Sequence, residues 1–340
     1  MSTPANNSDS FADMAFLARA FQVSKMVQVA VSLELADRVV DGSQSVTSLA
    51  LAAGANPAML LRLCRALAAF GIFAVDTNGN VSQTARSECL RKEVKPTLYH
   101  VAKFWATPHV WTSWANLEQT VRTGESAFES VYHMPKFDYL KVHPEEAELF
   151  NLFMQHGLDN RQAAVVAAYD FSKAGLVVDI GGGNGALLDA ILQTNPHVRG
   201  LLFDQDAVVA GASRTLADFA GRCQIEAGDF FQTIPFGGDT YTMSAVLHDW
   251  DDEHCLTILT NTRAAMQPNK RLLVIERLLE SQVELTNPMN YLADINMMGN
   301  LNGRERTHTE FTQLLAISGF SEPQIYRSTS VFCILEAQSI

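Results

Sequence analysis

The chain has 340 residues, 47% of them hydrophobic, which is enough to bury a full core and predicts two domains. Its formal net charge of −12 at pH 7 makes nucleic acid and anionic membranes poor partners, because both would repel it. No apolar run is long enough to predict a membrane-spanning helix. The five cysteines are scattered and lack C-x-x-C spacing, which predicts reduced thiols in a cytoplasmic protein and no zinc site.

The N-terminal residues predict a helical domain. Residues 11–40 predict a helix with apolar side chains on more than one face, typical of a helix buried in its own domain or against a partner chain. Two shorter helices follow, over 47–53 and from Pro57 to about residue 70. Apolar residues then flank Asn78-Gly79, a dipeptide typical of a hairpin turn. Helix, turn, helix and hairpin together predict a winged helix.

A winged helix raises the possibility of DNA binding. The second helix, residues 57–67, would be the recognition helix, but its only charged residues are Arg62 and Arg65. Phosphate contacts need several basic side chains. The composition therefore favours packing or dimerisation over a regulatory DNA-binding role.

Residues 97–169 predict further helices with interleaved aromatic side chains. Most of these side chains are expected in the core. A few could face the glycine-rich turn described below and line a flat apolar pocket; the residues predicted for that face are Phe104, Trp105, Phe153, Met154 and His156.

The C-terminal half alternates between strand and helix patterns. Strands are predicted near 176–180, 200–203, 223–227, 240–246, 271–276, 323–327 and 331–336, and helices near 185–194, 207–220, 252–266, 289–300 and 308–318. This alternation predicts an α/β fold with a doubly wound, mostly parallel sheet. The last two strands are joined by a short turn, so an antiparallel edge is expected. Thr307-x-x-Glu310 predicts a capping box for the last helix, which Gly319 ends.

Residues 177–185, V-V-D-I-G-G-G-N-G, have the strand–turn–helix pattern of a nucleotide-binding unit. Gly181 and Gly183 permit a tight turn and close approach of a ligand. Asp204 ends the next strand, about twenty residues on, where an acidic residue commonly binds a ribose. The glycines alone fit either NAD or S-adenosylmethionine.

Asp179 favours S-adenosylmethionine. It ends the strand two residues before the first of the two glycines, where a dinucleotide would place its pyrophosphate. A carboxylate there would repel a dianion but suits the sulfonium and ammonium groups of S-adenosylmethionine. An NAD-dependent oxidoreductase stays open as the alternative.

Two further strand ends carry candidate residues. Gly228-Asp229-Phe230 could cap an adenine, with Asp229 accepting from the exocyclic amine and Phe230 on the ring face, although Asp229 is also a common turn former. His248 follows the fourth strand, at the edge where ligands bind in such sheets. Residues 251–253 are acidic and suit the positive end of the next helix, so no catalytic role is assigned to them.

The order and spacing of six segments resemble the class I S-adenosylmethionine-dependent O-methyltransferases of the plant caffeate/flavonoid and bacterial antibiotic-tailoring type. The segments are Val177–Gly185, Leu202–Asp204, Gly228–Phe231, Leu247–Glu253, Leu272–Glu276 and Gly303–Thr307. The resemblance covers nearly the whole chain. It implies an N-terminal dimerisation domain, residues 1–100, and a catalytic domain, residues 101–340, with a helical front to residue 170 and a Rossmann-like core from residue 171.

The resemblance also implies an activity: metal-independent methyl transfer from S-adenosylmethionine to a hydroxyl of an aromatic small molecule, in an intertwined homodimer, with S-adenosylhomocysteine as the product. N-methylation of a heteroaromatic such as a phenazine is a further alternative, since it occurs among relatives. The acceptor itself is not identified by the sequence.

Carried over by position, His248 matches the catalytic base of the family, and Glu276 and Glu305 match the two acids that flank it. Ser244 departs from the plant members, which usually have Lys there. The predicted cofactor contacts are Asp179, Gly181, Gly183, Asp204, Gly228, Asp229, Phe230, Ser244 and Met154. The predicted acceptor contacts are Phe104, Trp105, Phe153, His156, Asp294, Asn296, Met297 and Asn300.

A base at His248 also has a physical rationale. A phenol of pKa near 10 is about one part in a thousand ionised at pH 7, a handicap of about 4 kcal/mol. An imidazole that removes the proton as the oxygen attacks is worth about 10²–10⁴ in rate. A carboxylate from Glu276 or Glu305 on the far ring nitrogen would fix the tautomer and stabilise the imidazolium.

Overall fold

The computed structural model describes residues 7–155, 161–283 and 288–340. The chain divides into two compact units: Met1–Trp111 with Pro144–Leu158, and Thr112–His143 with Asp159–Ile340. This division groups residues 144–158 with the N-terminal ones, whereas the sequence pattern predicts a boundary at residue 100. The two-domain boundary predicted from sequence stays a prediction.

The N-terminal residues form short helices around a small sheet. The elements are α1 Asn7–Leu17, α2 Phe21–Ser32, α3 Leu35–Arg38, β1 Gln44–Ser45, α4 Val46–Ala53, α5 Pro57–Ala69, β2 Ala74–Val75, β3 Asn80–Ser82, α6 Ala85–Glu88 and α7 Tyr99–Phe104. The strands pair antiparallel in the order β1-β3-β2. The predicted helix, turn, helix and hairpin are therefore confirmed.

Local hydrogen bonds explain these boundaries. Asn56 Oδ1 accepts the backbone N–H groups of Ala58 at 3.0 Å and Met59 at 3.2 Å and so begins α5. Gly79 has φ +80° in the hairpin turn. The single helix predicted over residues 11–40 is wrong, because Glu34 has φ 54° and a left-handed residue cannot continue a right-handed helix.

Apolar side chains of the first helix face solvent in the single chain. Phe11 is 78% exposed, and Met14, Phe16 and Leu17 are exposed as well. Such a cluster on one helix is unusual for a monomer surface.

The middle of the chain is helical, as predicted for residues 97–169. The helices are α8 Pro108–Ala115, α9 Leu117–Thr123, α10 Ala127–Tyr132, α11 Lys136–Val142, α12 Pro144–Gln155 and α13 Arg161–Ala168. Among the described residues, no single helix has the length and apolar composition to cross a bilayer. Helices α4 and α5 together have that length and composition, but the chain bends by 112° between them.

The C-terminal part alternates strand and helix. The elements are β4 Leu176–Ile180, α14 Ala186–Thr194, β5 Arg199–Asp204, α15 Asp206–Val209, α16 Ala212–Thr215, β6 Cys223–Ala227, β7 Thr240–Ser244, α17 Asp252–Ala265, β8 Arg271–Leu279, α18 Pro288–Leu301, β9 Arg306–Thr307, α19 His308–Ile317, β10 Gln324–Arg327 and β11 Phe332–Gln338. Short 3₁₀ turns lie at Phe171–Lys173, Ala217–Phe219 and Leu247–Asp249.

The large sheet has the strand order β10-β11-β8-β7-β4-β5-β6, with β9 paired to β8. Strands β4 to β8 run parallel, whereas β11 and β10 are antiparallel additions at one edge. Apolar clusters cover both faces of the sheet. This is the predicted doubly wound, Rossmann-like α/β fold with an antiparallel last strand.

Two local predictions have different outcomes. The capping box that starts α19 is confirmed, with the Thr307 side chain accepting from Glu310 N–H and the Glu310 side chain accepting from Thr307 N–H. The single helix predicted over residues 207–220 is wrong, since α15 and α16 are separated at Gly211. The break lies at a glycine because glycine destabilises a helix interior by about 1 kcal/mol relative to alanine.

The strand order positions the site. The chain builds β5 and β6 on one side of β4, and then β7 and β8 on the other. Open α/β sheets bind ligands beyond the carboxyl ends of the strands at such a reversal. The ends of β4 and β7 therefore frame the expected binding crevice.

Candidate functional site

The glycine-rich turn after β4 has a backbone that requires glycine. Gly181 and Gly183 have φ +65° and +61°, a region that other residues rarely adopt. Gly182 lies against Asp179, because a Cβ there would be 2.4 Å from Asp179 Oδ2 and from Leu202 Cδ1. The turn thus packs directly over the carboxyl group.

Asp179 is fully buried beneath this turn. Its Oδ1 accepts a hydrogen bond from Thr242 Oγ1 at 2.6 Å, and its Oδ2 has no hydrogen-bond partner among the described residues. Burial raises the pKa of Asp179 to about 7; the Thr242 bond opposes this rise and Asp204 adds to it. A nearby cation would favour the ionised form. Direct contact of Asp179 with a cofactor stays a prediction.

Asp204 connects the end of β5 to the glycine turn. Its Oδ2 accepts Gly183 N–H at 2.8 Å, and its Oδ1 accepts Gln205 N–H at 2.7 Å. Burial raises the pKa of Asp204, and these two hydrogen bonds oppose the rise. The carboxylate therefore lies beside the turn, where a ribose hydroxyl could donate to its remaining lone pairs.

The turn after β6 contributes an aromatic face. Gly228 must be small, since a Cβ there would lie 2.3 Å from the Phe203 ring. Asp229 is exposed, and its Oδ1 accepts Phe231 N–H at 2.9 Å. The Phe230 ring lies 3.7 Å from the position that a Cβ of Gly181 would take. The structure therefore brings this turn next to the glycine turn.

Ser244 ends β7, beside the end of β4. Its buried hydroxyl has no hydrogen-bond partner among the residues described. Such a group is costly unless a ligand or water completes it.

The predicted catalytic trio lies together. His248, on the turn after β7, has Nδ1 2.9 Å from Glu276 Oε2 and 3.7 Å from Glu305 Oε1. Glu276, on β8, is held by its other oxygen, since Oε1 accepts the backbone N–H groups of Val246, Leu247 and His248 at 3.0, 2.9 and 3.3 Å. The acid is thus fixed to the backbone of the turn that carries the imidazole.

Opposing effects set the charges of this trio. Burial alone would lower the pKa of His248, but Glu276, Asp249 and Glu305 outweigh it and raise the pKa to about 10. Burial would raise the pKa of Glu276, but the His248 charge and the backbone hydrogen bonds bring it below its ordinary value. Burial raises the pKa of Glu305 to about 7, against the pull of His248 and Arg277. Glu276 is therefore the negative partner of the imidazole.

The other ring nitrogen faces a residue that the sequence interpretation did not single out. Asp249 Oδ1 lies 3.4 Å from His248 Nε2. Burial raises the pKa of Asp249 to about 6, and the charge of His248 opposes the rise. Asp249 follows the histidine directly, yet adjacency along the chain does not predict that its carboxyl group turns back to the ring.

The sequence interpretation also does not identify Arg306 as a site residue, although Arg306 lies in the segment 303–307 that carries the family resemblance. Its side chain is fully buried. It donates to the carbonyls of Leu247 at 2.9 Å and Trp250 at 2.8 Å, and to Asp252 Oδ1 at 2.7 Å. The guanidinium thereby clamps both ends of the His248 turn. Asp251 caps α17 through His254 N–H at 2.9 Å, in agreement with the helix-start interpretation.

The acceptor residues predicted on α18 adjoin the trio. Asp294 Oδ1 accepts Glu305 N–H at 2.9 Å. Asn300 is buried and donates to Asn296 O at 3.1 Å and Oδ1 at 3.0 Å, while its own Oδ1 has no hydrogen-bond partner among the described residues. Met297 is half-buried. Their contact with an acceptor stays a prediction.

Other predicted residues belong to the first unit. Phe104 and Phe153 stack with centroids 4.3 Å apart, and Trp105 meets Phe153 edge-on at 6.1 Å. Met154 is 36% exposed. These contacts form an aromatic cluster within that unit, and its roles toward acceptor and cofactor stay predictions. His156 lies outside the described residues.

The trio also has the spacing of a possible metal site. The ligand atoms of His248, Glu276 and Glu305 lie within 4.8 Å of one another. Metal ligands must be deprotonated, whereas the pKa of His248 and that of Glu305 are raised. Metal-independent chemistry at this position stays a prediction.

Comparison with known proteins gives two family matches. An O-methyltransferase domain matches residues 114–321, and an O-methyltransferase dimerisation domain matches residues 16–93. The chain is 37% identical over 323 residues to phenazine O-methyltransferase PhzM of Lysobacter antibioticus, covering 94% of both chains. It is 32% identical over 304 residues to phenazine-1-carboxylate N-methyltransferase of Pseudomonas aeruginosa, covering 89% of both.

Solved structures give the same result. Mitomycin 7-O-methyltransferase MmcR superposes with a TM-score of 0.93 at 33% identity, covering 98% of this chain and 99% of that one. The O-methyltransferase NcsB1, in complex with S-adenosylmethionine and 2-hydroxy-5-methyl naphthoic acid, superposes with a TM-score of 0.83 at 30% identity, covering 94% and 96%. These matches decide for methyl transfer and against the oxidoreductase alternative. The chain therefore belongs to the S-adenosylmethionine-dependent O-methyltransferases.

Proposed function

We propose that the enzyme transfers a methyl group to a hydroxyl of an aromatic small molecule, with His248 as the general base. The observation that supports this proposal is the orientation of the imidazole ring of His248, whose Nδ1 atom lies 2.9 Å from Glu276 Oε2. A carboxylate this close to Nδ1 favours a proton on that nitrogen, which would leave the lone pair of the neutral ring on Nε2 to accept a proton from the acceptor.

S-adenosylmethionine is the methyl donor. The residues that would hold it are the glycine turn, Asp204 and Phe230, with Asp179 beneath. The buried hydroxyl of Ser244 and the Oδ2 atom of Asp179 lack partners among the described residues, and the raised pKa of Asp179 marks a site that a cation would stabilise. The bound donor supplies an electrophilic methyl on a positively charged sulfur.

The carboxylates strengthen the base. The pKa of His248 is raised to about 10, so the imidazole without a bound donor is mostly protonated at pH 7 and the neutral base is the minor form. The positive sulfur of a bound donor would favour the neutral ring, and proton transfer to such a base is worth about 10²–10⁴ in rate. Glu276 stabilises the imidazolium, and Arg306 holds the turn so that Nε2 keeps its direction.

The enzyme acts as a homodimer and needs no metal. The dimerisation domain matches residues 16–93, and α1 exposes Phe11, Met14 and Leu17, which a second copy would cover. Metal-free chemistry is part of this proposal, with the imidazole as the base and Glu276 as its counter-ion.

The acceptor is an aromatic secondary metabolite with a hydroxyl group. The named relatives act on phenazines and mitomycin, and NcsB1 binds a naphthoic acid. N-methylation is the second candidate, favoured by the phenazine-1-carboxylate N-methyltransferase among the relatives. A ring nitrogen with a free lone pair needs no base, so the complete trio of His248, Glu276 and Glu305 favours oxygen.

The test is mass spectrometry with methyl-labelled S-adenosylmethionine and a panel of acceptors: 1-hydroxyphenazine, 2-hydroxy-5-methylnaphthoic acid, caffeic acid and phenazine-1-carboxylate. The expected product carries the label on a hydroxyl oxygen, equally with and without EDTA. Label on nitrogen alone would favour the second candidate. Loss of activity with EDTA, restored by a divalent cation, would contradict metal independence.

A further inference from the structure

The turn that carries His248 is too short to fix its own direction. It is a single 3₁₀ turn, Leu247–Asp249, closed by the Trp250 N–H on Leu247 O at 3.3 Å. Ala245, which precedes the turn by two residues, has φ 57°, a left-handed backbone that is strained for alanine. Such strain persists only where surrounding contacts fix the backbone. The direction of the imidazole therefore depends on contacts from outside the turn.

Two buried groups of opposite charge supply these contacts. The Glu276 side chain is fully buried, and its Oε1 accepts backbone N–H groups of the turn and of the residue before it. The Arg306 side chain is fully buried as well. It donates from Nη1 to Leu247 O at 2.9 Å and from Nη2 to Trp250 O at 2.8 Å. The carboxylate thus holds the donors of the turn, and the guanidinium holds its acceptors.

Asp252 fixes the guanidinium in this position. Its Oδ1 accepts Arg306 Nε at 3.0 Å and Nη2 at 2.7 Å, and Arg304 O accepts Nη1 at 3.3 Å. With the two carbonyls of the turn, these bonds use all five N–H donors of the guanidinium. Asp252 also supplies the negative charge that a buried guanidinium needs. Its own side chain is 55% exposed, so it links the protein surface to the buried turn.

We propose that Asp252 is a positioning residue for methyl transfer. Its carboxylate holds the Arg306 guanidinium against the carbonyls of Leu247 and Trp250, and this hold keeps the imidazole directed at the acceptor hydroxyl. The inference rests on the proposed role of His248 as the base. Asp252 takes no proton in this role, because it acts through Arg306.

Loss of the carboxylate should misdirect the base without removing it. A displacement of about 1 Å at a reacting group can cost about 10²-fold in rate. Because Asp252→Ala leaves the bonds from Glu276 in place, we expect a smaller loss of about tenfold in the single-turnover rate. Asp252→Asn should lose less than Asp252→Ala, since it keeps an acceptor oxygen but not the charge that strengthens the hydrogen bonds.

Rapid quench of the dimeric enzyme, with labelled S-adenosylmethionine and the most active acceptor of the panel, measures these rates. The KM for the acceptor and the calorimetric affinity for S-adenosylhomocysteine should stay unchanged in both Asp252 variants. Glu253→Ala is the matched control, because it removes an exposed carboxylate from the same first turn of α17. Its single-turnover rate should equal that of the wild type.

A second comparison removes the base itself. His248→Ala has no imidazole to direct, so adding Asp252→Ala to it should slow the single turnover by less than about twofold. A merely structural effect of Asp252→Ala would slow both backgrounds by the same factor. This difference between the two backgrounds separates positioning of the base from a general loss of stability.

Three results would overturn the proposal: a wild-type rate in Asp252→Ala, an equal loss in Glu253→Ala, or the same loss in the His248→Ala background. A slow His248→Ala enzyme together with a normal Asp252→Ala enzyme would contradict this inference alone. A His248→Ala enzyme with a near-normal rate would contradict the proposed function, and the role of Asp252 with it.

Discussion

Replacing Glu276 by glutamine removes the charge that sets the basicity of His248. In the wild type, Glu276 Oε2 lies 2.9 Å from Nδ1, which puts the centres of the two charged groups about 4 Å apart. At an effective dielectric constant of about 20, charges at that distance interact by about 4 kcal/mol, or about three pKa units. We therefore expect the pKa of His248 to fall from about 10 to about 7 in Glu276→Gln.

The substitution also changes the tautomer. The glutamine carbonyl can keep the three backbone hydrogen bonds that Glu276 Oε1 accepts, and its NH₂ group would then donate to Nδ1. The ring proton moves to Nε2, which can no longer accept one from the acceptor. Methyl transfer should fall by about 10²–10⁴. Because the base acts in its neutral form, the remaining activity should rise with pH through the lowered pKa, near 7, and not through 10.

Nuclear magnetic resonance of ¹⁵N-histidine measures the His248 pKa without an acceptor, and the pH dependence of kcat/KM measures it in catalysis. Glu253→Gln is the control, since Glu253 is exposed on the first turn of α17 and should leave both profiles unchanged. A His248 pKa that stays near 10 in Glu276→Gln would refute the assignment of Glu276 as its counter-ion.

Two further predictions concern the cofactor side. The pKa of Asp179 is raised to about 7 without ligand, and S-adenosylhomocysteine, which keeps the ammonium group, should lower it. Binding should therefore release roughly half a proton at pH 7. Calorimetry in buffers of different ionisation enthalpy measures this release, and Asp179→Asn should abolish it. Gly182→Ala places a Cβ 2.4 Å from Asp179 Oδ2 and Leu202 Cδ1, so the free energy of unfolding in urea should fall by about 1–3 kcal/mol.

Each of these two predictions has a control variant. Asp189→Asn changes a carboxylate on α14 and should leave the proton release intact. Gly221→Ala adds a Cβ with nothing within 4 Å and should leave stability unchanged. Proton release that survives in Asp179→Asn would contradict the assignment of Asp179 as the group that the cofactor titrates. A Gly182→Ala enzyme as stable as Gly221→Ala would contradict the close packing of the glycine turn on the carboxyl group.

Much of the fold could be predicted because its strands carry strong local patterns. β4 and β6 have the predicted bounds, and the capping box at Thr307 starts α19 as expected. The two helix predictions that are wrong failed for local reasons, since apolar composition does not reveal the left-handed Glu34 or the break at Gly211. Such breaks depend on the packing around single residues, and the average composition of a segment does not show that packing.

The site was predictable where residues follow strand ends. The glycine turn, Asp204 and His248 have recognisable positions along the chain, and parallel strands bring those positions to one edge. Arg306 carries no such signal, because it reaches the His248 turn from a distant segment and the contacts exist only in the folded chain. The burial of Lys136, which is 4% exposed at the start of α11, could not be predicted either, because a lysine at the start of a surface-like helix is normally exposed.

The most direct test of the central claim is the single-turnover rate of methyl transfer in His248→Ala, measured together with calorimetric binding of S-adenosylhomocysteine. If the imidazole takes the acceptor proton, the rate should fall by at least about a hundredfold while the affinity for S-adenosylhomocysteine stays unchanged. A near-normal rate with intact binding would contradict the account, because positioning alone would then drive the transfer.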